Sequence, residues 1–189
     1  MPSASLVLWH NTRMPRLTLI NGQCNATVMA VPPNADLIDE SLRGYVMALS
    51  AHFQGFCRDL HTEASQIIVS KVRRPALELL LQAQFSARRR LDRGNPNREN
   101  LKADFERFGF DLDLAAADPA NGPRLAHLAR LNEWRNVAAH QGTPTAAAGP
   151  LTFPDIQAWR NSCDDLATSL DTVMYNQLRR ILKRPPWVP

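Results

Sequence analysis

Arg135, Asn136 and His140 stand close together near the end of the stretch Pro123 to Gly142, PRLAHLARLNEWRNVAAHQG. A planar guanidinium matches the oxygens of a phosphate, and an imidazole moves protons near neutral pH. An amide between them can orient the histidine or donate to the phosphate. The combination suits chemistry on a phosphate. An arginine, an asparagine directly after it and a histidine five residues after the arginine arise by chance only about 0.03 times at this composition.

The element that must carry these residues is a helix. Asn121-Gly122-Pro123 reads as a turn followed by proline in the first helical turn, and Gly142 is placed to end the helix in a left-handed cap. At about 100° per residue, Leu125, Leu128, Leu131, Ala138 and Ala139 share one stripe, with Arg130, Glu133 and Val137 opposite. Arg135 then falls in the middle of the apolar stripe, where an uncompensated guanidinium is costly. Asn132, Asn136 and His140 form a polar row along its edge, and His140 lies in the last turn, where the helix dipole favours a cation.

Arg135-Asn136-Val137-Ala138-Ala139-His140 resembles the signature of the HEPN superfamily: an arginine, usually a polar residue, then a histidine after four to six intervening positions. Leu42 to Leu60, LRGYVMALSAHFQGFCRDL, is similar to the long first helix of HEPN proteins, in particular the RiboL-PSP-like group. The resemblance spans roughly 36–183. It implies an all-α, up-down bundle of about five helices and a metal-independent endoribonuclease without cofactors. A ribose 2′-hydroxyl would attack the adjacent phosphate, leaving a 2′,3′-cyclic phosphate and a 5′-hydroxyl. Arg135, Asn136 and His140 would be its catalytic residues. It also implies RNA as partner and a toxin or phage-defence role with a regulatory partner or antitoxin. In-line transfer needs both a base and an acid while each chain carries one such motif, which predicts a homodimer with a composite site whose seam is the apolar face bearing Arg135. Family members work in the same way. Members regulated by a partnered nucleotidyltransferase carry a tyrosine two residues after the histidine, where this chain has Gly142.

Three further groups bear on this chemistry. Ile38, Leu42, Tyr45, Leu49, Phe53, Phe56, Leu60, Ala64 and Ile67 mark a long amphipathic helix from Asp36 to about Val72. His52 and Glu63 fall on its apolar stripe and Asp59 at its edge. Glu63 or Asp59 is placed to hold Arg135, and His52 is either a second acid–base group or a hydrogen-bonded core residue. A second helix, Ala76 to about Arg93, has Leu77, Leu80, Leu81, Gln84 and Leu91 as its inner face. It ends in Arg88, Arg89, Arg90 and Arg93, which either complement the helix dipole or bind RNA backbone.

The rest of the chain frames these groups. Residues 1–35 hold short β-leaning runs around Asn21-Gly22, a hairpin signal, and predict a strand pair or an extended arm. A third helix from Arg98 to Phe108 carries Leu101, Phe105 and Phe108. A folded connection runs from Gly109 to Gly122, and the link from Thr143 to Leu151 is placed to gate the site. Thr152 and Asp155 form a capping box for a last helix reaching about Lys183, along Ile156, Trp159, Cys163, Leu166, Leu170 and Val173. The organisation is thus an arm (1–35), a helical domain (36–184) and a tail (185–189).

Composition sets the outer bounds. At 189 residues, 44% hydrophobic and 21% charged, the chain supports a real core. No apolar run approaches a membrane span, and there is no signal-peptide layout. Three unpaired, widely spaced cysteines suit a reducing cytoplasm. The net charge of +4 is uneven: ten basic residues against five acidic ones lie between Lys71 and Arg107, and Arg179 to Arg184 adds four with no acid. That suits a polyanion or, equally, a solvated helical surface. A phosphate-cradling glycine loop, a zinc-type histidine pair, an activated serine or cysteine and a short helix–turn–helix are all missing. A non-catalytic helical module binding RNA or protein is the alternative to the nuclease.

Overall fold

Buried positions in the first 28 residues fall at helical spacings: Leu6, Trp9, Leu17 and Cys24. The computed structural model, which describes residues 1–140 and 149–187, accordingly has only helices among the described regular elements. They are α1 (Ala4–Leu8), α2 (Met14–Val28), α3 (Ala35–Val69), α4 (Pro75–Ser86), α5 (Arg98–Phe105), α6 (Leu114–Ala117), α7 (Asn121–His140) and α8 (Phe153–Leu182). The all-α expectation holds. The strand pair does not: a wider π-type turn at Trp9–Arg13 joins α1 to α2 in one helical run, with Asn21-Gly22 inside it.

Two contacts explain why tertiary context overrides the β-leaning residues. Ser3 caps α1 by accepting the Leu6 N–H at 3.0 Å, and Glu63 accepts the N–H groups of Ala4 and Ser5, both at 2.9 Å. A carboxylate there satisfies orphan donors and complements the dipole. Trp9 then packs against both Phe53 and Phe56, with ring centroids 6.0 and 5.7 Å away, while its indole N–H donates to Asp164 at 2.8 Å. The N-terminal run therefore shares the core of the helical body.

Asn34 caps α3 and Thr152 caps α8, each accepting a backbone N–H three residues on. The Thr152 hydroxyl also donates to Asp155 at 2.6 Å, as the capping box requires. The apolar stripes of these long helices face each other and α7, so α3, α7 and α8 pack mutually, with α2 laid against α3. Leu101, Phe105 and Phe108 are buried as expected, and Leu112 and Leu114 of the following connection close over the core. Trp187 folds back onto Tyr175, with ring centroids 6.3 Å apart.

The helix after Pro75 departs from expectation. It ends at Ser86, and the arginines lie in the turn beyond it, around a 3-10 turn at Arg90–Asp92. The cation that satisfies the end of α4 is Arg107, whose guanidinium donates to the carbonyls of Phe85 (3.0 Å), Ala87 (2.7 Å) and Arg88 (3.1 Å). Leu77 and Leu80, expected inside, are exposed. Phe85 takes the buried position, and Leu81 and Leu91 turn inward. No described helix is long and apolar enough to cross a membrane.

Candidate functional site at the end of α7

Trp134 and Val137 set the rotation of the last turns of α7. Both are buried, and the Arg43 guanidinium, itself held by Asp39 at 2.6 Å, lies 5.9 Å from the centre of the Trp134 ring. This corrects the helical stripe. Val137, expected outside, is inside, and Ala139 is exposed. Arg135 is half-buried at the margin of the packed face rather than at its centre. The indole volume decides the outcome, because burying it outweighs burying two alanines.

Asn136 and His140 are exposed on one face of the helix end. Arg135 and His140 are about 140° apart around the axis, so the motif alone does not put them side by side. The Arg135 guanidinium closes part of that angle by donating from Nη1 to Asn136 Oδ1 at 3.3 Å. The same oxygen accepts from Asn95 Nδ2 at 2.9 Å. Gly142 and all of the expected gate from Thr143 to Leu151 except its last three residues lie outside the described residues.

Asn95 belongs to the segment that follows the arginine cluster, and its backbone is held firmly. Asp104, fully buried, accepts the N–H groups of Arg90 (2.9 Å) and Leu91 (2.8 Å) and pairs with Arg107 at 3.3 Å. From α3, Gln54 donates to the carbonyls of Leu91 and Gly94 at 2.7 and 2.9 Å. Asn100 donates to the Asn95 carbonyl at 2.8 Å, and Asn97 caps α5. Arg88, Arg90 and Arg93 are exposed on this scaffold.

Arg89 is not exposed in the same way. It pairs with Asp92 at 2.7 Å and donates to the Thr62 hydroxyl at 2.9 Å, its side chain 12% accessible. The Arg89 hydrogen bond holds the Asp92 carboxyl below its ordinary pKa. Of the four arginines expected to meet a polyanion, three are free to do so, and Arg89 is structural.

The expected supporting carboxylates are elsewhere. Glu63 is spent on α1, accepting the Ser5 hydroxyl at 2.6 Å as well as the two N–H groups. Asp59 pairs with Arg13 at 2.5 Å. Gly55 makes that pair fit, since a Cβ there would lie 2.5 Å from the Arg13 guanidinium. His52 is half-buried on α3, its pKa lowered by burial and then by Arg13 and Arg16, and no contact joins it to the described part of the motif. Glu63 and Asp59 hold α1 and the turn before α2 against α3, and His52 lies within the influence of Arg13 and Arg16 of the same N-terminal run.

The sequence reading missed Asn95, Gln54, Asp104, Arg107 and His61. Asp104 had a signal: it lies among Leu101, Phe105 and Phe108, a polar residue on an apolar stripe, which requires a partner. His61 is buried against Phe105 and Phe108, with ring centroids 5.5 and 5.0 Å away, and bonds the Asp104 carbonyl at 3.2 Å. Burial, then Arg89, pushes its pKa down to about 4. Among the described residues no cluster of three or more His, Cys, Asp or Glu is placed to hold a metal ion. Compared with known proteins, the chain matches no family model, no curated protein and no solved structure.

Proposed function

We propose that this chain is an endoribonuclease that cleaves RNA by attack of a ribose 2′-hydroxyl on the adjacent phosphate. The Asn95–Asn136 hydrogen bond carries the reading, because it joins the arginine-bearing turn directly to the helix end that bears the motif. Backbone-binding cations are needed beside a cleavage site, and Arg88, Arg90 and Arg93 precede that contact by two to seven residues.

In this reaction His140 takes the 2′-hydroxyl proton, the 2′ oxygen bonds to phosphorus, and the bond to the 5′ oxygen breaks. Arg135 neutralises the charge gathering on the phosphoryl oxygens. The 5′ oxygen leaves as a hydroxyl and needs a proton in turn. Each chain carries one such motif, so a homodimer supplying a second His140 completes the acid–base pair. The apolar side of α7 is used inside the subunit, so the case for the dimer rests on this proton requirement. The nucleophile lies within the substrate, so the chemistry calls for no metal or cofactor. A cytoplasmic toxin or defence effector restrained by a partner protein is the setting the HEPN resemblance implies.

End-group analysis tests the reaction. Cleavage in EDTA gives 2′,3′-cyclic phosphate and 5′-hydroxyl ends, and a single 2′-deoxy substitution at the cut position abolishes it. Cleavage at the 2′-deoxy position, or 5′-phosphate ends, contradicts the proposal. The competing reading, a non-catalytic RNA-binding or protein-interaction module, is favoured by the exposed leucines of α4. RNA binding without any cleavage would support it.

A further inference from the structure

The helix α4 is amphipathic in the wrong direction for a helix that merely covers the body. Its inward side holds Leu81 and Phe85, and Phe85 with Glu78 and Gln82 lines a cavity of about 280 Å³ against α3. Its outward arc holds Ala76, Leu77, Leu79, Leu80 and Ala83, and the three leucines are 47, 68 and 63% exposed. Around the helix these five fall within about 160°, and Gln84 is the one polar residue in the arc. A contiguous apolar face turned to water marks an interaction surface. The spacing of large and small residues, with alanines at 76 and 83 flanking Leu79 and Leu80, is that of a helix-packing seam.

Charge identifies what fits it. Lys71, Arg73 and Arg74 precede the seam, and Arg88, Arg90 and Arg93 follow it. All six are exposed, and none forms an ion pair among the described residues. Glu78 is the single acid on α4, and it faces the cavity. A second copy of the same helix would meet cations with cations at both ends, whether it ran parallel or antiparallel. RNA would use the cations and leave the leucines wet. A lipid surface would accept leucines, yet the outward arc carries no aromatic residue of the kind that anchors interfacial helices.

We propose that the outward face of α4 docks an amphipathic helix of a protein partner whose seam is Leu- and Ala-rich and whose two ends are acidic. The proposal uses neither Arg135, Asn136 nor His140, and it shares with the ribonuclease reading only the cations that follow the seam, Arg88, Arg90 and Arg93.

The test is fluorescence anisotropy with a labelled helical peptide of about 16 residues, roughly 24 Å long. One form carries a Leu/Ala seam with Glu at both ends, and a control has Lys there. The full-length protein binds the Glu form at least about tenfold tighter than the Lys form, with affinity falling as salt rises. The double variant Leu79→Gln/Leu80→Gln loses about tenfold while its thermal melt is retained, because both side chains are exposed. Arg73→Glu/Arg74→Glu reduces the preference for the Glu form. Three results overturn the proposal. They are equal or absent binding of the two peptides, a leucine-dependent dimer in sedimentation, and leucine-dependent binding to phosphatidylserine vesicles in preference to the peptide.

Discussion

The Asn95 side-chain amide donates to Asn136 Oδ1 at 2.9 Å, across 41 positions of sequence. Asn136 also receives the Arg135 guanidinium, so one amide oxygen fixes both the arginine and the basic turn. Replacing Asn95 with Ala removes an exposed, neutral hydrogen bond and costs at most about 1 kcal/mol of stability. Cleavage should fall about tenfold, since a misplaced guanidinium forfeits transition-state binding. Urea unfolding and single-turnover cleavage on the same preparation separate the two effects. A loss of stability with unchanged cleavage would assign Asn95 a purely structural role.

The four arginines of the turn should part company under mutation. Arg88→Ala/Arg90→Ala/Arg93→Ala leaves stability within about 0.5 kcal/mol and lowers the salt slope of single-stranded RNA binding by about 2. Arg89→Ala instead destabilises by about 1–2 kcal/mol through its bonds to Asp92 and Thr62, with the exposure of Asp92 limiting the effect, and changes the slope least. Equal slopes for all four arginines would refute the division.

Much of this architecture was legible in the sequence, for stated reasons. α3 and α8 announced themselves through long three-and-four spacings and, for α8, the Thr152–Asp155 box, because a long helix repeats its pattern often enough to average out exceptions. The first 28 residues did not. Val7, Ile20 and Asn21-Gly22 carry local preferences that a carboxylate from α3 and an indole pocket overrule, and neither partner is near in sequence. At the candidate site the motif was visible, whereas Asn95 was not. Gly94-Asn95-Pro96 reads as a turn, and nothing local says which helix the turn touches.

Glu63 anchors the N-terminal run, which makes a separate prediction. Glu63→Ala leaves the Ala4 and Ser5 N–H groups without their acceptor. Stability should drop by about 1–3 kcal/mol. Hydrogen exchange should accelerate first in residues 1–28. Uniform acceleration across α3, α7 and α8 would mean that the run and the body open as one unit.

His61 sets a pH dependence of stability. Its folded pKa of about 4 lies below the ordinary 6.5, because burial and the nearby Arg89 disfavour the imidazolium. As pH falls through 6.5, the unfolded chain takes up a proton that the folded chain refuses. The contribution is therefore complete above about 6.5, erodes as pH falls toward about 4 and is gone below that, on the order of 3 kcal/mol in all. His61→Gln should remove that slope. Urea midpoints of the two proteins between pH 7 and pH 4 give the comparison, and parallel curves would contradict it.

If one site draws a histidine from each subunit, a dead subunit should silence an active one. Wild type co-refolded with an equal amount of His140→Ala should keep about a quarter of the rate of the same total of wild type, because only wild-type homodimers hold both histidines. A mixture that keeps about half, in proportion to its wild-type chains, would argue that each chain works alone.

The central claim is that Arg135 and His140 carry out the cleavage, and the cleavage rate of unstructured RNA in EDTA measures it. Wild type cleaves, while His140→Ala and Arg135→Ala, shown by circular dichroism to remain folded, each lose at least about a hundredfold. Folded variants that cleave as fast as wild type, or a wild type that never cleaves, would contradict the account.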